Sequence, residues 1–167
     1  VECILKNEFS VFEMGFGTGL NALITAFHAE LKKKKIYYTS IEKFPLNQGT
    51  IRNIKISDFI QKDDPQKFFE ELHQISCGED HQINEYFTLH KIKGDLTEYS
   101  ISGYFDLVFF DAFSPDKQPY LWTEEIFRKL FDKMKPQGIL TTYSAKGIVK
   151  RRLKKVGFRV EKLEGPP

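Results

Sequence analysis

The run Val11-Phe12-Glu13-Met14-Gly15-Phe16-Gly17-Thr18-Gly19-Leu20-Asn21 joins a short apolar strand, one acidic residue, three alternating glycines and the start of an amphipathic helix. Strand, glycine-rich turn and helix N-terminus together leave a nucleotide-sized pocket at the carboxyl end of a parallel sheet, with backbone N–H groups facing the ligand. The glycines let the backbone pass close to a bound molecule without a Cβ in the way. Their spacing narrows the choice of ligand. A dinucleotide fingerprint, G-x-G-x-x-G, would need its third glycine at Leu20; here it stands at Gly19, and Glu13 lies just inside the strand. The alternative is a glycine-rich turn that holds no ligand.

On either side of this unit strand and helix signals alternate, which predicts an α/β fold: a mostly parallel twisted sheet with helices on both faces. Strands are expected over 10–14, 36–41, 87–92, 105–110, 139–143 and 158–163, the fifth after a turn at Pro136-Gln137-Gly138. The 105–110 run is almost continuously apolar, as a buried central strand should be. Helices are expected over 20–33, with Leu20, Leu23, Ile24, Phe27 and Leu31 at helical spacing, and over 45–53, with Pro45 in its first position. A third runs from the cap Thr123 to Met134 with Glu124 and Glu125 in its first turn, and a basic one covers 146–156 and ends at Gly157. Residues 54–86, with Phe59, Ile60, Phe68, Phe69, Leu72 and Ile75, read as a two-helix insertion within one domain spanning 1–167.

A chain of 167 residues with 29% charged and 41% apolar residues is neither disordered nor membrane-spanning in composition. No apolar run approaches the ~20 residues of a membrane helix, and no signal peptide opens the chain. Cys3 and Cys77 have no metal-ligand spacing, so they read as reduced thiols in a cytosolic protein. His28, His73, His81 and His90 are scattered and suggest no metal site or triad. A net charge of +2 does not by itself argue for nucleic acid. Both ends stop without a closing element, so native sequence is expected beyond residues 1 and 167.

Three acidic residues follow strands in turn. Glu42, after the second, suits the bidentate acceptance of two ribose hydroxyls; the alternative is a surface glutamate. Asp95, in Gly94-Asp95-Leu96, could accept from an adenine amino group with Leu96 against the ring, or merely form an Asx turn. Asp111, in Phe110-Asp111-Ala112-Phe113-Ser114-Pro115, is the sharpest chemical signal. The central strand delivers a carboxylate to the sheet rim, where it could hold or deprotonate an amine, and the aromatic beside it could stack on a base. The alternative is an aspartate that caps a loop. Six cations fall in 146–155, where they could track phosphates or simply face solvent. Lys32 to Lys35 end a helix and read as structural; Tyr120 and Trp122 read as anchors of a helix start, with a place on the substrate rim as the alternative.

Taken in order, Glu13 to Asn21, Ile41-Glu42-Lys43-Phe44-Pro45-Leu46, Phe110 to Pro115 with Trp122-Thr123, and Thr141 to Arg151 with Gly157-Phe158 closely resemble the methyltransferase domain of the bacterial MnmC type. That resemblance implies a Rossmann-like fold, S-adenosyl-L-methionine as cofactor, no metal, and transfer of methyl to the primary amine of 5-aminomethyl-2-thiouridine at the wobble position of the tRNA anticodon loop. It implies a cofactor site of Glu13, Gly15, Phe16, Gly17, Thr18, Gly19, Asn21, Glu42, Lys43, Asp95, Leu96 and Asp111, with Asp111 catalytic. Substrate would meet Phe113, Pro115, Lys146, Lys150 and Arg151. Larger members carry a flavin-dependent oxidoreductase domain that nothing here resembles, so that partner would be separate or fused outside these residues. The family pattern continues past Pro167 with a basic block and a closing strand.

The competing readings are an aminopropyltransferase of the spermidine-synthase type, which also places an acid after this strand, and a non-catalytic nucleic-acid-binding module that keeps a cofactor pocket. A nicotinamide dehydrogenase fits worst, given the Gly19 spacing.

Overall fold

The computed structural model describes residues 6–56 and 64–163. Six strands form one sheet: β1 (Glu8–Met14), β2 (Lys35–Glu42), β3 (Asp80–Asn84), β4 (Phe87–Lys93), β5 (Phe105–Phe110) and β6 (Met134–Thr141), in the order β3-β4-β2-β1-β5-β6. Every pairing is parallel except β3 with β4. The helices are α1 (Leu20–Lys32), α2 (Gln48–Asn53), α3 (Pro65–Gln74), α4 (Glu124–Phe131) and α5 (Gly147–Val156). This is the open, twisted α/β sheet expected, ending at β6 without a closing strand among the described residues.

Strand alternation sorts β1 between two cores. Val11 points into one with Leu23, Ala26, Tyr38, Phe69 and Leu89, under α1 and α3. Phe12 and Met14 point into the other with Phe110, Trp122, Phe127 and Leu153, under α4 and α5. The polar exception in β5 is the buried Asp106, which accepts from Lys6, Lys135 and the Ser10 N–H at 2.7, 2.7 and 2.9 Å. Burial alone would raise its pKa, but the two ammonium groups and that N–H outweigh it and hold the carboxyl below the ordinary range.

Several expected boundaries move for local reasons. Helix α2 begins at Gln48 rather than Pro45, because the Asn47 side chain accepts from the Thr50 N–H at 2.9 Å and caps it. Helix α4 is capped by Thr123 as expected but stops at Phe131, since Met134 already pairs with Phe105 in β6. Between that pair and Leu107↔Ile139 the register shifts by three residues, so Pro136-Gln137-Gly138, expected as a turn before the strand, is an irregularity inside β6. The expected two-helix insertion holds α3 and then β3, which adds an antiparallel edge to β4; Phe59 and Ile60 lie outside the described residues, as does Cys3. No strand forms at 158–163: Phe158 packs edge-on to Phe131, ring centroids 4.9 Å apart, instead of joining the sheet.

Candidate active site

Sheet register assembles the site. Met14 is opposite both Ile41 and Phe110, so β1, β2 and β5 end at one level. The turns leaving them are stitched together: the Gly15 N–H donates to the Ile41 carbonyl at 2.9 Å, and the Asp111 N–H donates to that of Met14 at 3.0 Å. The order of the sheet reverses direction between β1 and β5, the usual place for a ligand crevice. There a cleft of about 350 Å³ opens, lined by the glycine loop from Gly15 to Thr18 with Asn21, by Glu42 and Lys43, by Gly94 to Leu96, and by Asp111 to Phe113 with Gln118, Tyr120 and Tyr143.

The structure therefore brings together most of the residues expected at a cofactor site. Glu42 is engaged: one oxygen accepts from the Gly17 N–H at 3.1 Å and the other from the Phe44 N–H at 2.8 Å. A carboxylate offers about four lone pairs, so two remain for ribose hydroxyls. Asp95 forms the Asx turn, accepting from both the backbone and the hydroxyl of Thr97 at 2.9 and 2.8 Å, and it also accepts from Lys43 Nζ at 2.6 Å. Burial pushes its pKa up, but the Lys43 hydrogen bond and the Thr97 donors prevail and hold it below the ordinary range. Lys43 thus occupies an acceptor that an adenine amino group would use. Leu96 is buried on the cleft floor.

Glu13 and Gly19 are not in the cleft wall. Gly19 caps α1 with φ +73°. Glu13 points to the α1 side of the sheet and is fully buried, where its carboxyl accepts from Ser40 Oγ at 2.7 Å and Asn21 Nδ2 at 3.0 Å. It reaches the cleft only through Asn21, which also donates to Asp111 Oδ2 at 3.3 Å. The Tyr38 hydroxyl lies beside this carboxyl but misses hydrogen-bond geometry. Burial, with a smaller push from the Asp111 charge, lifts Glu13 from 4.5 to about 8, against the pull of its hydrogen-bond donors.

This raised pKa makes the fold sensitive to pH. Between about 4.5 and about 8 the folded chain binds a proton on Glu13 that the unfolded chain has released, so stability falls as pH rises through that window. The loss by the upper end is on the order of 4 kcal/mol. Glu13→Gln keeps the acceptor for Asn21 and removes the titration. Its melting temperature is expected to exceed that of the unsubstituted protein at pH 8 and to converge with it near pH 4.5 in thermal melts across the range.

The loop after β5 faces outward. Phe113 is 67% exposed, and the chain behind it is held by the buried Trp122, whose Nε1 donates to the Phe113 carbonyl at 2.8 Å. Trp122 also packs edge-on against Phe110 and Tyr143. Tyr143 donates its hydroxyl to the Ala112 carbonyl at 2.8 Å; burial, then the Asp111 charge, pushes its pKa up. Gln118 accepts from the Phe113 N–H at 3.0 Å, and Tyr120 lines the cleft rather than only anchoring a helix. Pro115 lies on this loop but outside the cleft wall. Lys146 is ion-paired with Asp116, while Lys150 and Arg151 are exposed on α5.

Besides Gln118, two contributors escaped the sequence reading. His73, on α3, bonds through Nε2 to the Thr18 carbonyl at 2.9 Å, and burial, with the nearby Lys91 charge, lowers its pKa, so it acts as a neutral donor pinning the glycine loop. Tyr143 had no signal beyond an aromatic at a strand end. Among the described residues no group of His, Cys, Asp and Glu could hold a metal, and no helix is long and apolar enough to cross a membrane.

Comparison with known proteins agrees with this geometry. Residues 55–167 match a family described as S-adenosyl-L-methionine-dependent methyltransferase. The chain is 32% identical, over 94% of its length, to the tRNA 5-methylaminomethyl-2-thiouridine biosynthesis bifunctional protein MnmC of Actinobacillus pleuropneumoniae serotype 5b, covering 26% of that protein. The Leptospira interrogans protein of the same name is 32% identical over 96% of the chain, which again covers 26% of the relative. The chain thus spans about a quarter of the length of these curated relatives. The crystal structure of MnmC2 from Aquifex aeolicus superposes with a TM-score of 0.72 at 25% identity, over 95% of this chain and 50% of that one. A putative methyltransferase from Thermoplasma acidophilum, 13% identical, shares the fold with a TM-score of 0.51.

Proposed function

The chain belongs to the S-adenosyl-L-methionine-dependent methyltransferases, and on that premise we propose that it methylates the primary amine of 5-aminomethyl-2-thiouridine at the wobble position of tRNA. The observation that carries the reading is the exposed Asp111 carboxylate, set beside the glycine loop on one side and the exposed Phe113 on the other. The residues present fit the cofactor. The cleft volume falls in the range of small-molecule sites, Gly17 on its wall has open space where a Cβ would stand, and Glu42 retains acceptor capacity for ribose. When bound, S-adenosyl-L-methionine supplies a methyl group on a cationic sulfur.

Asp111 accepts a hydrogen bond from the incoming amine, aims its lone pair and takes the proton the amine releases. Phe113 stacks on the base, a contact worth about 1–3 kcal/mol. Pro115 shapes the rim. Lys150 and Arg151, with Lys146 exchanging Asp116 for phosphate, follow the anticodon backbone. Asp95 receives the adenine amino group as Lys43 gives way, and Leu96 packs under the ring. The whole acts as one domain in the cytoplasm, alongside a flavin-dependent oxidoreductase that prepares the amine, consistent with relatives whose name calls them bifunctional.

The test is methyl transfer from labelled cofactor to tRNA bearing the aminomethyl base, with the same tRNA lacking that group as control. Label in the first alone is the expected result. No transfer with cofactor binding intact would overturn the acceptor. Turnover of putrescine with decarboxylated cofactor would favour an aminopropyltransferase, a reaction whose polycationic substrate suits the cationic α5 poorly.

A further inference from the structure

The Asn21 side chain stands in the first turn of α1 between two carboxyl groups. One N–H of its amide donates to the buried Glu13 Oε1 at 3.0 Å and the other to the exposed Asp111 Oδ2 at 3.3 Å. Glu13 is itself fixed from behind, since its second oxygen accepts from Ser40 Oγ at 2.7 Å. The amide therefore has one workable orientation. Turned over, its oxygen would face two carboxyl groups and leave both without the donor they now share. Asp111 lines the cleft, and among the described residues no other hydrogen bond to its carboxylate is present, so Asn21 is the one polar contact that fixes the carboxylate and Oδ1 is left without a hydrogen-bond partner.

We propose that Asn21 is a positioning residue that, anchored on buried Glu13, holds the Asp111 carboxylate in the orientation that meets the acceptor amine. The sheet interior thus sets the geometry of the reacting rim through a three-residue bridge from β1 through α1 to the end of β5. The inference rests on the reading of Asp111 as the group that meets the amine. A mis-set reacting group costs far more than the hydrogen bond that set it, because rate falls steeply with misalignment.

The experiment is a double-substitution cycle on the full chain, read as single-turnover methyl transfer to aminomethyl tRNA with enzyme in excess, alongside calorimetric binding of S-adenosyl-L-methionine. Asn21→Ala is expected to slow transfer by about 10- to 100-fold, with cofactor affinity changed less than about threefold. Asn21→Asp, which keeps the shape but removes both donors and sets a third carboxyl between the other two, should be at least as slow. In an Asp111→Ala background, Asn21→Ala should add less than about twofold, because a residue acting through another has nothing left to act on. Transfer within twofold of normal in Asn21→Ala, a fall in cofactor affinity matching the fall in rate, or a full-sized additional loss in the Asp111→Ala background would each overturn the assignment. Normal rates in Asp111→Ala itself would instead sink the reading of Asp111, and the two failures are thereby told apart.

Discussion

Asp111→Ala is expected to lower methyl transfer about a thousandfold, the scale of a lost acid–base group, while cofactor affinity stays within a fewfold and the melting temperature hardly moves. The stability claim follows from position. Asp111 is exposed at the end of β5, and among the described residues its side chain makes one hydrogen bond, the long one to Asn21, so truncation opens no cavity and strands no buried partner there. The backbone N–H that ties the strand end to Met14 is unaffected. The affinity claim follows from the proposed division of labour, in which the loop and Glu42 hold the cofactor while Asp111, on the same cleft, meets the acceptor beside Phe113. Asp111→Asn separates two ways of helping. An amide keeps one acceptor oxygen to aim the amine but cannot take its proton, so a rate close to that of the alanine variant indicates proton transfer, and a rate close to normal indicates orientation alone. Single-turnover rates on the aminomethyl tRNA measure both. Asp111→Ala activity near normal would remove the residue from the reaction.

Glu13 is what makes one carboxylate here behave differently from another. Three acids, Glu13, Glu42 and Asp111, lie close to the end of β1 in unlike surroundings. Glu42 takes two backbone N–H groups in a solvated turn. Glu13 is sealed beneath α1, and burial keeps it protonated to about pH 8. A neutral Glu13 can sit one amide away from the exposed Asp111 carboxylate without placing a negative charge in the interior, whose desolvation would cost several kcal/mol. The acidic residue that leads the glycine loop thus serves the site from behind rather than at its surface.

What was legible in the sequence is what period and local chemistry control. The β5 run of Phe105 to Phe110 was placed to the residue because a buried strand has no reason to alternate, and the Thr123 cap was plain from Thr followed by two glutamates. The four ordered motifs led to the cleft because each follows a strand end and register brings strand ends together. What was missed depends on partners distant in the chain. Strand β3 has little apolar alternation of its own and exists because β4 offers it an edge. His73 is one histidine among several until α3 packs its ring edge-on against Phe16 and Phe69, within reach of Thr18. Residues 158–163 have the alternation of a strand but no neighbour to pair with among the described residues. The same blindness hid the fate of Glu13: sequence shows an acid inside a strand, while only packing shows which face of the sheet it enters.

Gly15→Ala is expected to be the most damaging single change in the loop, and comparison with Gly17 and Gly19 tells why. Gly15 adopts φ +92°, and a Cβ there would stand 2.8 Å from the Asp111 carbonyl oxygen and 3.4 Å from its carbon. That obstacle is backbone, and it cannot retreat: Gly15 is tied to Ile41 at 2.9 Å and Asp111 to Met14 at 3.0 Å, so separation of the two turns breaks the ends of the sheet. Positive φ costs an L-residue about 1–2 kcal/mol, and forced overlap in packed structure adds about 1–3 kcal/mol. A total of about 3 kcal/mol lowers the melting temperature of a domain this size by about 6–12 °C. Gly17, at φ +50°, has open space where its Cβ would go, so only the conformational cost of about 1–2 kcal/mol applies. Gly19 falls between them: its Cβ would meet the Phe16 ring at 3.0 Å and His73 Nε2 at 3.2 Å, side chains able to yield where backbone is not. Thermal melts of the three alanine variants should rank 15, 19, 17 from most to least destabilised, and Gly15→Ala should also lose cofactor binding as the cleft floor between β1 and β5 spreads. Equal melting temperatures for the variants at 15 and 17 would mean that the contact with Asp111 does not constrain the loop, and the register that joins the glycine turn to the reacting carboxylate would lose its main support.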